Sequence, residues 1–245
     1  MDKKLHVYGV RPTLELLESK KEIDTIYLQK DIKTEWVNKI KNESKTRNIN
    51  LKIVPKHKLN RLTQKNHQGV ISIASMVTFQ NFDNLLSNVF NNGEFPAFML
   101  LDRITDVRNF GSICRSAEAM GIHGIIIPKK ESAQINEIAI KASAGSILNT
   151  NICREDNLEH IVKRAKESGL SIISCSEKGK KNINNIDLNR PVLMIIGSEE
   201  NGISQRLIKL SDEIGKIPIF GQTASLNASV AAGIMLFEYN RQQNN

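Results

Sequence analysis

Three short stretches of this chain place polar side chains where an apolar run stops. Asn109-Phe110-Gly111-Ser112-Ile113-Cys114-Arg115 comes shortly after Phe98-Met99-Leu100-Leu101-Asp102, and Gly197-Ser198-Glu199 follows Met194-Ile195-Ile196. Ile217-Pro218-Ile219-Phe220-Gly221 leads into Ser225-Leu226-Asn227-Ala228-Ser229. Together they offer Arg115, Glu199, Ser225, Asn109 and Asn227, with glycines where a ligand could approach the backbone. This set suits hydrogen bonding and orientation. It lacks the parts of a hydrolase triad, since no Gly-x-Ser-x-Gly or matched His–Asp set accompanies Ser225. No Gly-Lys-Ser/Thr follows Gly197, and no Gly-x-Gly-x-x-Gly occurs, so neither a P-loop nor a standard dinucleotide fold is expected. Glu199 and Glu200 together suggest magnesium, but no third ligand accompanies them, and no metal is expected.

Each stretch also has a purely structural reading. Asn109 can cap a helix, Arg115 can pair with Glu118 one turn on, Glu199 and Glu200 can complement a helix N-terminus, and Ser225 can be a cap. Asn109 and Arg115 lie six residues apart, roughly 240° net around a helix, so they share a face only if Asn109 belongs to the cap. Ile113, Cys114 and Ala117 surround Arg115 with small apolar groups, which predicts a partly buried arginine that is either paired or functional.

The elements that must position these residues alternate between strand and helix. The first 75 residues read as a compact α/β unit. Leu14, Leu16 and Leu17 follow Pro12 in a helix, Ile26-Tyr27-Leu28 form a strand, and Trp36, Val37 and Ile40 repeat at helical spacing. Ile49, Leu51 and Ile53 alternate, Leu59 and Leu62 lie one turn apart, and Val70 to Ala74 close the unit. Residues 76–95 read as a polar hinge with a helix inside it. The body, 96–245, predicts strands at 98–101, 124–127, 170–174, 192–196 and 214–217. Helices are predicted at 109–120, 134–142, 156–168, 203–210 and 226–241. Apolar strands without period two indicate a mainly parallel sheet covered on both faces, with ligands at its carboxyl end. The run Ala228, Ser229, Ala231, Ala232, Gly233 predicts a helix packed closely on another backbone.

The chain has 245 residues, a net charge of +8 and three widely spaced cysteines. These form neither a disulfide framework nor a metal cluster, as in a reducing cytoplasm. No membrane span or secretory leader is expected. The charge is lopsided: residues 1–75 hold sixteen Lys and Arg against eight Asp and Glu, whereas 76–245 are balanced. A basic front on a neutral body suggests a polyanion-holding module attached to a catalytic core. Lys56, Lys58, Arg61 and Lys65 fall in the densest basic stretch. His67 and Gln68 beside it either contact RNA or build a turn.

The three stretches resemble the three motifs of the SpoU-type, or TrmH-like, RNA ribose 2'-O-methyltransferases. Asp106, Asn109, Gly111, Ile113, Arg115 and Ala117 match the first motif; Gly197, Glu199 and Gly202 match the second. Ile217, Pro218, Gly221, Ser225, Leu226, Asn227 and Ser229 match the third. Val107, Ser198, Glu200, Ile219 and Ala228 depart from the usual pattern. Tyr8-Gly9-Val10-Arg11-Pro12 and His67-Gln68-Gly69-Val70 resemble the ends of the family's L30e-like RNA-binding module.

The resemblance implies an α/β fold: an L30e-like domain at 1–75, a linker at 76–95 and an α/β-knot (SPOUT) domain at 96–245 with a trefoil-knotted C-terminal part. It implies S-adenosylmethionine as cofactor and a homodimer joined through the C-terminal domain. It also implies cytoplasmic action on a guanosine of 23S rRNA or its precursor, with a tRNA guanosine as the alternative. In the roles carried over, Arg115 serves as base or phosphate anchor, Glu199 orients Arg115, and Asn109, Ser225 and Asn227 complete the catalytic set. Ile196, Gly197, Ile217, Ile219, Ser225 and Leu226 hold the cofactor. Arg11, Lys56, Lys58, Arg61, Lys65, His67 and Gln68 hold RNA. A non-catalytic RNA-binding or ribosome-assembly factor is the rival from another class.

Overall fold

The computed structural model describes residues 6–19 and 21–244. The chain divides into two compact units. One comprises the described residues to Thr78 with Ile135–Glu137; the other comprises Phe79–Gln134 with the described residues from Ile138 onward.

The first unit contains β1 (His6–Tyr8), α1 (Val10–Glu18), β2 (Ile23–Gln29), α2 (Glu35–Thr46), β3 (Asn50–Val54), α3 (Lys56–Leu62) and β4 (Val70–Ala74). Its sheet order is β1-β4-β2-β3. β4 runs antiparallel to β1 and β2, and β3 runs parallel to β2. Alternation along the strands sends side chains to both faces. Ile26, Leu28 and Val70 pack with Leu16, Leu17, Val37 and Ile40 of α1 and α2. Tyr27, Ile71 and Ile73 pack with Val54 and with Leu59 of α3.

The second unit contains β5 (Phe79–Gln80), α4 (Phe82–Asn91), β6 (Ala97–Asp102), α5 (Val107–Ala119), β7 (Gly124–Pro128) and α6 (Glu137–Ala142). There follow β8 (Ile152–Glu155), α7 (Leu158–Glu167), β9 (Ser171–Cys175), β10 (Lys181–Asn182), β11 (Val192–Gly197), α8 (Gln205–Leu210), β12 (Glu213–Lys216) and α9 (Ala228–Gln243). The sheet order is β10-β12-β9-β11-β6-β7-β8-β5. Every pairing in it is parallel. All six residues of central β6 are buried. That double-sided cover explains why β6 reads as an unbroken apolar run. Phe98, Leu100, Leu193 and Ile195 pack with residues of α4, α7 and α8. α5 and α9 pack together, contacting β7 and β11 respectively.

Within the stretch expected as a hinge, β5 pairs with β8, and Phe82, Leu86 and Val89 of α4 join the core of the second unit. That amphipathic helix therefore belongs to the unit and not to a free connector. Periodicity missed β5, β8 and β10, which are two to four residues long. Strands that short give too few positions for a pattern.

Candidate functional site at the carboxyl edge of the parallel sheet

β11 ends at Gly197 directly beside Asp102 at the end of β6. A Cβ on Gly197 would lie 2.2 Å from the Gly202 carbonyl carbon and the Ile203 nitrogen. Only glycine therefore lets the chain double back there. It does so through Gly202 N–H donating to the Ser198 carbonyl at 2.9 Å, with Gly202 at φ +61°. The reversal lifts Glu199 onto the tip of a tight loop.

Asn109 reaches this loop from α5. Asp106, not Asn109, caps that helix, its carboxylate accepting from Arg108 N at 2.9 Å and Asn109 N at 2.8 Å. The Asn109 side chain is thus free for another task. Its Nδ2 donates to Glu199 Oε1 at 3.0 Å. Gly111, one half-turn on, permits close packing, since a Cβ there would lie 2.6 Å from the Ala139 carbonyl oxygen of α6.

Asn227 is the N-cap of α9, its Oδ1 accepting from Ser229 N at 2.9 Å. Its Nδ2 donates to Asn109 Oδ1 at 3.0 Å and to Glu199 Oε1. Ala228 N also donates to that oxygen at 3.2 Å. The three motif segments therefore meet in one closed triangle, Asn109–Glu199–Asn227. Three donors on one carboxylate oxygen hold Glu199 in place.

Beside the triangle lies a cleft of about 340 Å³, within the range of small-ligand sites. Ile196, Gly197, Ile217, Ile219, Ser225 and Leu226 all line it, as do Glu199 and Ala228. A second pocket shares Ser198, Glu199 and Ala228 and is lined by Asn109 and Arg103. Cys175 lines the first cleft, where burial pushes its thiol up to about 12. Cys153 is likewise raised to about 12 by burial, and burial raises Cys114 as well. Thiolates are scarce at neutral pH under those conditions, so nucleophilic cysteine chemistry has no support here.

Arg115 departs from expectation. It is exposed on α5, lines neither pocket, and has no hydrogen-bond or ion-pair partner among the described residues. Glu199 orients Asn109 and Asn227, not Arg115. The helical phase accounts for this: with Asn109 inside the first turn, Arg115 faces another way. The apolar neighbours of Arg115 fill the opposite side of the same helix.

In the first unit, His67 is a turn residue. Its Nδ1 accepts from Gly69 N at 3.0 Å, so the ring proton lies on Nε2, which meets Asn60 Oδ1 at 2.8 Å. With 7% exposure and both nitrogens engaged, it offers RNA no free group. Gln68, at φ +49°, accepts from Val10 N at 3.1 Å and ties β4's approach to the start of α1. Lys56, Lys65 and Gln68 line a cleft of about 510 Å³. The Lys65 ammonium lies 5.2 Å over the Tyr8 ring, and Lys58 and Arg61 are exposed. Arg11 is exposed and pairs with Glu15 at 3.1 Å.

The reading from residues alone passed over Arg103. It adopts φ +59° and forks onto Asp102, Nε to Oδ1 and Nη2 to Oδ2, both at 3.1 Å. The available signal was the Asp-Arg pair directly after an apolar strand.

Comparison with known proteins gives the family. Residues 96–237 match the SpoU rRNA Methylase family. Residues 6–80 match the domain described as RNA 2'-O ribose methyltransferase substrate binding. The chain is 30% identical over 239 residues to a Bacillus subtilis (strain 168) protein described within the TrmH family of tRNA/rRNA methyltransferases, covering 98% of this chain and 96% of that one. A Staphylococcus aureus (strain MSSA476) protein of the same description is 33% identical over 221 residues, 90% of this chain and 89% of its own. The crystal structure of the SpoU methyltransferase AviRb from Streptomyces viridochromogenes in complex with AdoMet superposes with a TM-score of 0.62 at 25% identity. It covers 98% of this chain and 90% of that one. With an α/β fold, a parallel sheet and these matches, the chain belongs to the SpoU (TrmH) family of RNA methyltransferases and uses S-adenosylmethionine as its methyl donor.

Proposed function

We propose that the enzyme methylates a ribose 2'-hydroxyl of RNA, at a guanosine of 23S rRNA or its precursor. The observation that carries this reading is the Asn109–Glu199–Asn227 triangle set directly against the cleft. The lining suits S-adenosylmethionine: Ile196, Ile217, Ile219 and Leu226 offer an apolar slot for an adenine ring. The bare Cα of Gly197 leaves room beside it, and Ser225 and Glu177 supply polar groups at the rim. When bound, the cofactor supplies a methyl group already activated on sulfonium. The chain's task is alignment of the weakly nucleophilic hydroxyl and removal of its proton. Asn109 and Asn227, fixed by Glu199, orient the ribose, and Ser225 completes the wall. The cleft beside that triangle is what favours an enzyme over a factor that merely binds RNA.

Arg115 completes the site from a second copy of the chain. It is exposed, has no partner among the described residues and lines neither cleft, while α9 leaves Val230 and Phe237 exposed alongside its small residues. These features support a homodimer through the C-terminal unit. A guanidinium, which offers donors and no acceptor, acts best by holding an RNA phosphate that accepts the hydroxyl proton. The trefoil thread belongs to the same reading.

The first unit is proposed as the RNA holder through Lys56, Lys58, Arg61, Lys65, Gln68 and Arg11. Mixing Arg115→Ala chains with Asn109→Ala chains tests the shared site. Each homodimer loses methyl transfer, whereas mixed dimers regain one intact site and a substantial fraction of activity. Absence of recovery in verified mixed dimers would return Arg115 to a role within its own subunit. Mapping the methylated nucleotide in 23S rRNA and in tRNA decides between the two RNA classes, both of which occur in the relatives' descriptions.

A further inference from the structure

The Glu199 loop is fastened at its exit by a pair outside the cofactor cleft. Asp102 is 4% exposed, and its Oδ2 accepts from Ser204 N at 2.7 Å. Arg103 forks onto the same carboxylate and donates through Nη2 to the Gly202 carbonyl at 3.1 Å. Gly202 and Ser204 lie about a hundred residues further along the chain and mark the end of the reversal that begins at Gly197. The last residue of β6 and the one after it thus hold both exit points of the loop. Arg103 does this from a left-handed backbone (φ +59°) that non-glycine residues rarely adopt, at a cost of about 1 kcal/mol or more. An arginine kept in a conformation that suits glycine indicates that its side chain is needed.

We propose that Arg103 is a positioning residue that holds the Glu199 loop in its cofactor-accepting form, acting through Asp102 and Gly202. This rests on the cleft being the cofactor site. Without the fork, the Gly202 carbonyl loses its side-chain partner and the loop samples other conformations. Apparent cofactor affinity then falls by the fraction of competent loop. Saturating cofactor restores the competent form, so the turnover number is largely kept. Arg103 therefore shows itself in KM for the cofactor and not in kcat.

The experiment uses full-length Arg103→Gly, Arg103→Lys and Ala224→Trp, with S-adenosylmethionine affinity measured calorimetrically and kinetics measured on RNA. Glycine relieves the backbone at φ +59°, so Arg103→Gly is expected to melt near the wild-type temperature while its Kd and cofactor KM rise about tenfold and kcat stays within about threefold. Lysine keeps the charge but not the fork, and is expected to share the defect. It is also the variant to read should glycine fail to fold. Wild-type affinity in either folded variant overturns the proposal. Ala224→Trp fills the cleft wall and checks the underlying reading. If Ala224→Trp binds like wild type, the cleft assignment fails. If it abolishes binding while Arg103→Gly binds normally, only the role of Arg103 fails.

Discussion

At the scale of single residues, the site works through saturation of one carboxylate oxygen. Glu199 Oε1 takes donors from both asparagines and from the backbone of Ala228. Asn227 serves two masters, donating to Glu199 through Nδ2 and capping α9 through Oδ1. Asn227→Asp separates these duties, because aspartate caps as well as asparagine but brings a second negative charge against Glu199 and removes a donor. Methyl transfer is expected to fall about a hundredfold or more, roughly 3 kcal/mol, with a melting temperature close to wild type. Retained activity would remove the triangle from the mechanism. The sequence exposed these residues because each stands where an apolar strand gives way to a polar stretch. It also contained the phase argument that separates Asn109 from Arg115. It could not reveal that Asp106 takes the capping role and frees Asn109, because Asp and Asn are equivalent caps by type. The double engagement of His67 was equally hidden, since Asn60 lies on another element.

At the scale of elements, the cleft depends on a glycine at the end of β11. Gly197→Ala places a methyl group 2.2 Å from the returning chain, so the loop must move. The expected result is loss of cofactor binding with destabilisation of about 1–3 kcal/mol from overpacking, read by calorimetry and thermal melting. Asp106→Ala tests a different element. Losing the cap of α5 costs about 1 kcal/mol and lowers the melting temperature by about 2–4 °C. Asn109 shifts with the first turn, so activity should fall more than stability. The largely apolar strands β6 and β11 and the helices beside them were legible from periodicity. The order of strands was not, because a parallel sheet is assembled from contacts distant in the chain, which local pattern does not encode.

At the scale of the whole molecule, charge and chemistry occupy different units. Residues 76–245 are electrically balanced, and among the described residues no helix is long and apolar enough to cross a membrane. The first unit carries the positive excess on exposed Lys56, Lys58, Arg61 and Lys65. Changing these four to alanine should raise KM for RNA and flatten its dependence on salt, because fewer counterions are released on binding. Cofactor affinity should not change, and an unaltered salt slope would place the RNA elsewhere. The lopsided charge was readable directly from the sequence. The unit boundary was less so: α4 reads as an isolated amphipathic helix in a polar stretch, and only its packing with Phe98 and Val162 assigns it to the second unit.

The most direct test follows tritiated methyl from S-adenosylmethionine into 23S rRNA, with digestion to nucleosides and chromatography. The account predicts label in 2'-O-methylguanosine, lost with Asn227→Asp and with Arg115→Ala. Label in a base-methylated nucleoside, or undiminished transfer by both variants, would contradict it.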